Sequence, residues 1–368
     1  MTAPKQDTSA TKPHVEPPHL IEFSKVLDEL HKLQVSALVP QPDKEQIQAL
    51  VYARTTDTIS LALAQFRNHN IISLPIFDTI KGKFVTMINV VDVMRFMMLR
   101  EFYKIDPSYK EELTKLYECK MEDVIAAVVL NRPFRVYHVT DPLFVALRAM
   151  EAGNENVYGI LVSFAEDKEQ IESDIKHALI ITQWDAINFL LRNDVVRRHG
   201  KLDTLPAKQV MQRAWITFTK NDDPNQPTHR LPITPGRSTF ALSVLKDVSA
   251  FSALRSMSAH HISSIAVVEK DAAGTIKLID NLSASDIRFI TVDNLADGFL
   301  EVTEFLSKVR GHPGKPILCD EETPLVQIME MALKNNVHRV WIVEHSTGKP
   351  IGLCSMSDML SVVVGVNA

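Results

Sequence analysis

Apolar residues along this chain alternate between helical spacing and short unbroken runs, and the alternation recurs four times. Its clearest instance is the stretch 335–360. A polar His338-Arg339 pair precedes an apolar run at 340–343, Gly348 marks a turn, a second run starts at Ile351, and Ser357-Asp358 opens a helix. The pattern predicts helix, strand, turn, strand, helix. Serine and aspartate at the last junction suit a helix N-terminus, because their oxygens accept the N–H groups left over in a first turn. They also set a carboxylate on a ledge above the strand ends, where a ribose hydroxyl can be held.

The same order appears three times upstream. In the first copy a strand is predicted at 49–53, Thr56-Asp57 opens a helix through Leu61, Ala62, Leu63 and Phe66, apolar runs follow at 71–77 and 84–88, and Asp92 opens the last helix. The second copy has a strand at 135–139, a helix containing ALRAM (146–150), runs at 157–164 and 178–181, and Thr182-Gln183-Trp184-Asp185. The third has a strand at 243–245, a helix containing ALRSM (253–257), runs at 262–268 and 276–279, and Ser283-Ala284-Ser285-Asp286. From the central helix to the aspartate the separations are 29 residues (Leu63 to Asp92), 38 (Leu147 to Asp185), 32 (Leu254 to Asp286) and 29 (Met329 to Asp358). The surplus in the second copy falls on a charged stretch between its strands, a longer hairpin loop.

The repeats divide the chain into a tail at 1–22, a first repeat with an amphipathic leading helix at 23–104, a second at 105–198, a third at 199–294 with a proline-bearing insertion at 219–236, and a fourth at 295–368. The tail carries Pro4, Pro13, Pro17 and Pro18 among polar residues and is expected to be flexible. With 368 residues, 45% hydrophobic and 23% charged, the chain is long enough for two or more cores. A net charge of −5 gives no electrostatic reason to expect nucleic acid, although a local basic pocket can still hold phosphate. Three cysteines without metal-ligand spacing point to a reducing compartment, cytoplasm or nucleus. No apolar run reaches membrane-spanning length, so no membrane association is expected. Enzyme signatures are also missing: there is no GxSxG elbow, no GxxxxGK[ST] loop and no HExxH.

A four-fold β-α-β-β-α repeat with an aspartate at each final helix resembles a tandem array of cystathionine β-synthase (CBS) domains. Within that superfamily it is most similar to the four-repeat γ regulatory subunits of AMP-activated protein kinase. The resemblance covers residues 23–366. It implies an α/β fold in which the first repeat pairs with the second, and the third with the fourth, through their sheets, giving two modules that stack. It also implies regulatory AMP, ADP or ATP as ligand, no catalysis, and a kinase catalytic (α) and a scaffold (β) subunit as partners.

The family pattern is a hydroxyl three residues before an aspartate, both holding the ribose. Thr182 with Asp185, Ser283 with Asp286 and Ser355 with Asp358 match it; the first copy departs, with Asn89 before Asp92. Phosphate ligands in the family are basic residues at the start of a strand, matched by His338 and Arg339, for which an imidazole and a fork of N–H donors are suited. The equivalent positions elsewhere are Ile72-Ser73, Tyr158-Gly159 and Ser263-Ser264, with His260 and His261 just ahead of the last. Each of these residues has a structural reading as well: the aspartates as helix caps, the basic residues as solvated surface, Met94, Met97 and Met98 as core, and Trp184 as packing rather than base stacking. Two other functions fit the same repeats: an adaptor acting on a kinase or phosphatase by contact alone, and a regulator of an enzyme or channel held in trans.

Overall fold

A helix precedes the first repeat, as its periodicity predicts: α1 (Leu20–Lys32), followed by a 3₁₀ turn at Val35–Leu38. The first repeat is β1 (Ala53–Arg54), α2 (Ile59–Asn68), β2 (Ser73–Asp78), β3 (Lys83–Asn89) and α3 (Val90–Leu99). Helices α4 (Lys110–Tyr117) and α5 (Met121–Val124) lead on to the second repeat, β4 (Val136–His138), α6 (Leu143–Glu151), β5 (Gly159–Ser163), β6 (Ala178–Thr182) and α7 (Gln183–Arg192). After α8 (Asp194–His199) and α9 (Ala207–Val210) comes the third: β7 (Ala214–Phe218), β8 (Phe240–Leu245), α10 (Ala250–Ala259), β9 (Ser264–Lys270) and β10 (Ile276–Ser283). Helix α11 (Val302–Arg310) joins it to the fourth, β11 (Leu318–Asp320), α12 (Leu325–Lys334), β12 (Arg339–Val343), β13 (Pro350–Ser355) and α13 (Met356–Val364). This computed structural model describes residues 20–39, 50–101, 110–129, 132, 134–151, 157–166, 170–199, 202–210, 214–218, 240–311 and 314–364. Residues 1–19 of the tail and the insertion at 219–236 lie outside the described residues.

In every repeat the helix between the first two strands carries the chain back over the sheet, so those strands pair in parallel, and a hairpin then adds the third strand antiparallel. Two elements differ from the sequence reading. The third sheet has a fourth strand, β7, paired in parallel with β8; its run Trp215-Ile216-Thr217-Phe218 is β-branched and aromatic, as a strand requires. The helix expected after Asp286 is a 3₁₀ segment, Ala284–Phe289, that stops at the β-branched run Ile290-Thr291-Val292, where Asn294 accepts the Thr291 N–H and hydroxyl.

Packing runs in two directions. Sheets meet within a module: Phe84, Val136, Leu161 and Ala178 join repeats 1 and 2, and Ala266, Val268, Leu278, Trp341 and Leu353 join repeats 3 and 4. Helices meet between modules. Phe66, Met94, Phe96 and Met97 of repeat 1 share a core with Phe251, Leu254 and Phe305 of the third, while Leu147, Ile187 and Leu190 of the second share one with Met329, Met359 and Leu360 of the fourth. Burying each of these large side chains contributes about 1.5–3 kcal/mol of transfer free energy, which favours holding all four repeats in one arrangement. Met94, Met97 and Met98 are core residues, and Trp184 packs against the core shared by repeats 2 and 4.

The buttressing helices follow a rule that periodicity does not carry. Although α1 precedes the first repeat, it docks on the second: the Val35 and Ser36 N–H groups donate to the Asp141 and Val139 carbonyls, the Leu143 N–H donates to Leu33, and His31 stacks on Phe144. The segment entering α9 likewise serves the fourth repeat, through Ala207 N–H to the Thr323 carbonyl. Repeats 1 and 3 are instead supported from behind, by the segments entering α5 and α11, where Met121 N–H donates to Asp57 and Val302 N–H to Val248.

Candidate functional site

Asp92, Asp185, Asp286 and Asp358 occupy one structural position. Each sits three residues after an N-cap, and its carboxylate accepts the N–H of that cap: Asn89 at 2.9 Å, Thr182 at 2.8 Å, Ser283 at 2.8 Å and Ser355 at 2.8 Å. Return bonds run from the first-turn N–H groups to the Asn, Thr or Ser side chains, closing a reciprocal cap. The hydroxyl-aspartate spacing read from the sequence is therefore a complete helix-capping device. What separates the four is what else each carboxylate holds.

In the second repeat, Asp185 Oδ2 accepts both the Thr182 N–H and the Thr182 hydroxyl, at 2.8 and 2.7 Å, and Oδ1 has no protein partner among the described residues. Ser355 makes the same two bonds to Asp358. The odd repeats are different. Arg132, which enters just before β4, forks onto Asp92 with Nη1 to Oδ2 at 2.8 Å and Nη2 to Oδ1 at 2.5 Å, and also donates to the Met87 carbonyl at 3.3 Å. Asp92 is completely buried beneath it. Arg310, at the end of α11, repeats the arrangement in the other module: Nη2 donates to Asp286 Oδ2 and to the Asn281 carbonyl at 2.8 and 2.9 Å, and Nη1 donates to Asp280. In both cases the acceptors are the aspartate and the carbonyl five residues before it. Burial pulls the Arg310 pKa down, but Asp286 and Asp280 more than offset that, and the net direction is up.

His338 and Arg339 stand at the start of β12, and Arg339 lies opposite Ser355 in the β12–β13 register. The guanidinium does not turn to Asp358. It donates to Ser263 of the third repeat at 3.0 Å, and the groups that act on its charge are Tyr158 and Asp286. Tyr158, hydrogen-bonded with Ser263, meets the His338 ring edge-on with centroids 6.4 Å apart. Positions equivalent in three repeats, Tyr158, Ser263 and His338-Arg339, thus converge where the modules meet. Burial pushes the His338 imidazole down to about 4, helped by Arg339 and Arg288, and burial also lowers the Arg339, Arg288 and Arg95 guanidiniums. Arg339 and Arg288 bring two cations to this junction, where His338 is neutral and Asp286 acts on both guanidiniums, and an anion would meet them there.

His260 and His261 end α10. His260 Nδ1 is paired with the Ser256 carbonyl at 2.8 Å, and His261 is in the left-handed region at φ 56°. Asn70 and Asn336 take that conformation after α2 and α12, so His261 replaces an asparagine at a helix-ending position. Its outer edge is solvent-accessible, yet enough protein surrounds the ring to lower its pKa, with Arg95 and His260 adding to the effect.

A cavity of about 350 Å³ opens in the cleft between repeats 1 and 2. Met87, Val157, Ile160 and Leu161 give it apolar walls, Phe134 and Tyr137 add ring faces, and Arg132 and Arg135 bring two cations. Arg135 lies over the Tyr137 ring at 4.9 Å and pairs with Asp141 at 2.5 Å. Thr86, only 4% exposed, lines the same cavity, and its hydroxyl has no hydrogen-bond partner among the described residues. A buried, unpaired hydroxyl costs about 1–3 kcal/mol, and this one is closed off from the cavity unless the Thr86 side chain turns toward it. Sequence reasoning missed Thr86, Arg132 and Arg135; of the motif positions it named, Asn89, Ser73, Tyr158 and Gly159 are in the lining. Among the described residues no group of His, Cys, Asp and Glu is placed to hold a metal ion, and no helix is long and apolar enough to cross a membrane.

Residues 309–365 match the family model of the CBS domain. No curated protein matches the chain. Among solved structures it is similar to protein MJ1225 from Methanocaldococcus jannaschii, described as a proposed archaeal homologue of g-AMPK, with 14% identity, a TM-score of 0.58 and coverage of 89% of this chain and 99% of that one. An uncharacterised conserved protein from Pyrococcus horikoshii aligns at 15% identity and TM-score 0.46 over 90% of this chain and 100% of its own. The CBS domain of a bacterial CNNM/CorC family Mg2+ transporter, in complex with ATP, aligns at 14% identity and TM-score 0.31 over 45% and 91%. Residues 309–365 are thus a CBS domain, and the chain as a whole has four β-α-β-β-α repeats and shares its fold with the archaeal protein.

Proposed function

We propose that this chain is a non-catalytic regulatory protein that binds adenine nucleotide in the clefts between paired repeats and passes the bound state to a protein kinase. The observation that carries the reading is the cavity between repeats 1 and 2, where apolar walls, two guanidiniums and the unpartnered Thr86 hydroxyl surround about 350 Å³. A purine lies against Met87, Val157 and Leu161, and a phosphate is drawn to Arg135 and to the His338-Arg339 junction. Thr182 with Asp185, and Ser355 with Asp358, hold ribose hydroxyls. The imidazole at His338 is neutral at pH 7, so Arg339 supplies the charge there. Because the repeats share cores in both directions, a ligand that prefers one arrangement shifts the surface offered to a partner, by no more than its differential affinity.

The kinase is proposed from the likeness to the archaeal protein and from the resemblance seen in the sequence. A second reading, an adaptor that works by contact alone, is favoured by one observation: the ribose-type carboxylate of repeat 1 is already occupied by Arg132. Two measurements separate them. Titration calorimetry with AMP and with ATP gives saturable binding under the first reading, weakened by Asp358→Ala and by His338→Ala with Arg339→Ala. Native purification then recovers a kinase catalytic chain and its scaffold. Absence of heat at millimolar nucleotide leaves the adaptor reading.

A further inference from the structure

The two arginine forks are placed alike but are unequal in completeness, and the inequality bears on which ligands the odd repeats accept. A carboxylate has about four lone-pair sites. On Asp92 three are used: Oδ2 takes the Asn89 N–H and Arg132 Nη1, and Oδ1 takes Arg132 Nη2. A ribose 2′,3′-diol needs two on the same carboxylate, so the diol and the guanidinium exclude each other. Among the described residues only Oδ2 of Asp286 is engaged, by Ser283 N–H and Arg310 Nη2, because the other arm of Arg310 goes to Asp280. On Asp185 the sole partner among the described residues is Thr182 of its own cap.

We infer that Arg132, and more weakly Arg310, are specificity-determining residues: each stands in for the ribose of a nucleotide and closes its repeat to ribose-bearing ligands until it is displaced. The inference rests on the proposed nucleotide site and adds a ranking: repeat 1 is closed by lone-pair count, repeat 3 keeps as many sites on Asp286 as Asp185 has and is hindered only by the guanidinium beside it, and repeat 2 is open. The placement is built rather than incidental. Both arginines come from the segment leading into the partner repeat, and both also donate to the carbonyl five residues before the aspartate. In the second module Gly314 seals that segment, since its N–H donates to Asp280 Oδ2 and a Cβ there would lie 2.1 Å from Asp280 Oδ1.

The test is adenosine, which has the diol and base but no phosphate to compete for the arginines by charge. Its affinity is measured by titration calorimetry on the full chain and on Arg132→Met, Arg310→Met and Asp185→Ala, with AMP as reference. Removing two charge-assisted bonds from the competition predicts that Arg132→Met binds adenosine about tenfold to a hundredfold more tightly, and that Arg310→Met gains less. Arg132→Met uncovers a buried carboxylate, so Arg132→Gln, which keeps one donor on Asp92, is measured beside it and should show an intermediate gain. Unchanged or weaker adenosine binding in both Arg132 variants, while the wild type still binds AMP with loss in Asp185→Ala, overturns the inference and leaves the nucleotide reading standing. No adenosine or AMP binding in any variant overturns both.

Discussion

Repeats 1 and 2 have the same element order, the same reciprocal cap and the same aspartate position, yet they treat that aspartate in opposite ways. Asp92 is buried under a two-armed guanidinium from forty residues downstream, whereas Asp185 is half-buried and, among the described residues, answers only to Thr182. Repeat 3 follows repeat 1 through Arg310. The same division governs the buttressing segments, which come from behind for odd repeats and from in front for even ones. A repeated motif therefore does not imply a repeated site: the cap is local and recurs, while the partner arrives from elsewhere in the chain and alternates.

The largest effect that would break this comparison is on stability. Asp92→Ala strands Arg132, whose side chain is only 11% exposed, and should cost about 3–5 kcal/mol in urea unfolding. Asp185→Ala should lose a cap bond of about 1 kcal/mol. Equal costs would show that the two carboxylates are equivalent after all. A second test concerns the even repeat that carries the basic pair. His338 has a pKa of about 4 in the fold against an ordinary 6.5, so the unfolded chain takes up a proton first as pH falls. Its contribution is fully present above pH 6.5 and is lost between 6.5 and about 4, by at most about 3 kcal/mol. His338→Asn should flatten that segment of the stability profile, and a bound phosphate should move the window upward.

Gly314→Ala sharpens the likeness of repeats 1 and 3. It forces Asp280 away from the Arg310 fork and should cost about 1–3 kcal/mol, with the Asp286 pairing weakened. The smallest effect belongs to His261→Asn. Since Asn70 and Asn336 already hold the left-handed conformation in repeats 1 and 4, the exchange should change stability by less than about 0.5 kcal/mol in the same unfolding assay.

What the sequence made legible was local. The four hairpins, the helix before each, and the cap residues follow from periodicity and from the chemistry of a first turn, and all four were found at Asn89, Thr182, Ser283 and Ser355. The pairing of Arg132 with Asp92 has no periodic signature, because forty residues separate the two, and neither does the docking of α1 on the second repeat. Strand β7 lies on an aromatic and β-branched run ahead of the insertion, and the sequence reading, which sets the third repeat's first strand at 243–245, leaves it out. His338-Arg339 and Ser355-Asp358 were grouped by position in the repeat. Their strand register agrees, yet the Arg339 side chain turns away toward Ser263. Thr86 gave no signal, since a threonine in a strand is ordinary until a cavity opens beside it.

That hydroxyl supplies the most direct test of nucleotide binding. Thr86→Val replaces an unpaired buried polar group by an apolar one of the same shape, so the free protein should melt at the same temperature or higher. If nucleotide in the cavity draws the Thr86 hydroxyl out to meet it, the same change should weaken AMP binding, measured by titration calorimetry, by about tenfold. A stable Thr86→Val protein with impaired AMP binding is the predicted result; wild-type AMP binding in that variant, or none in either protein, would contradict it.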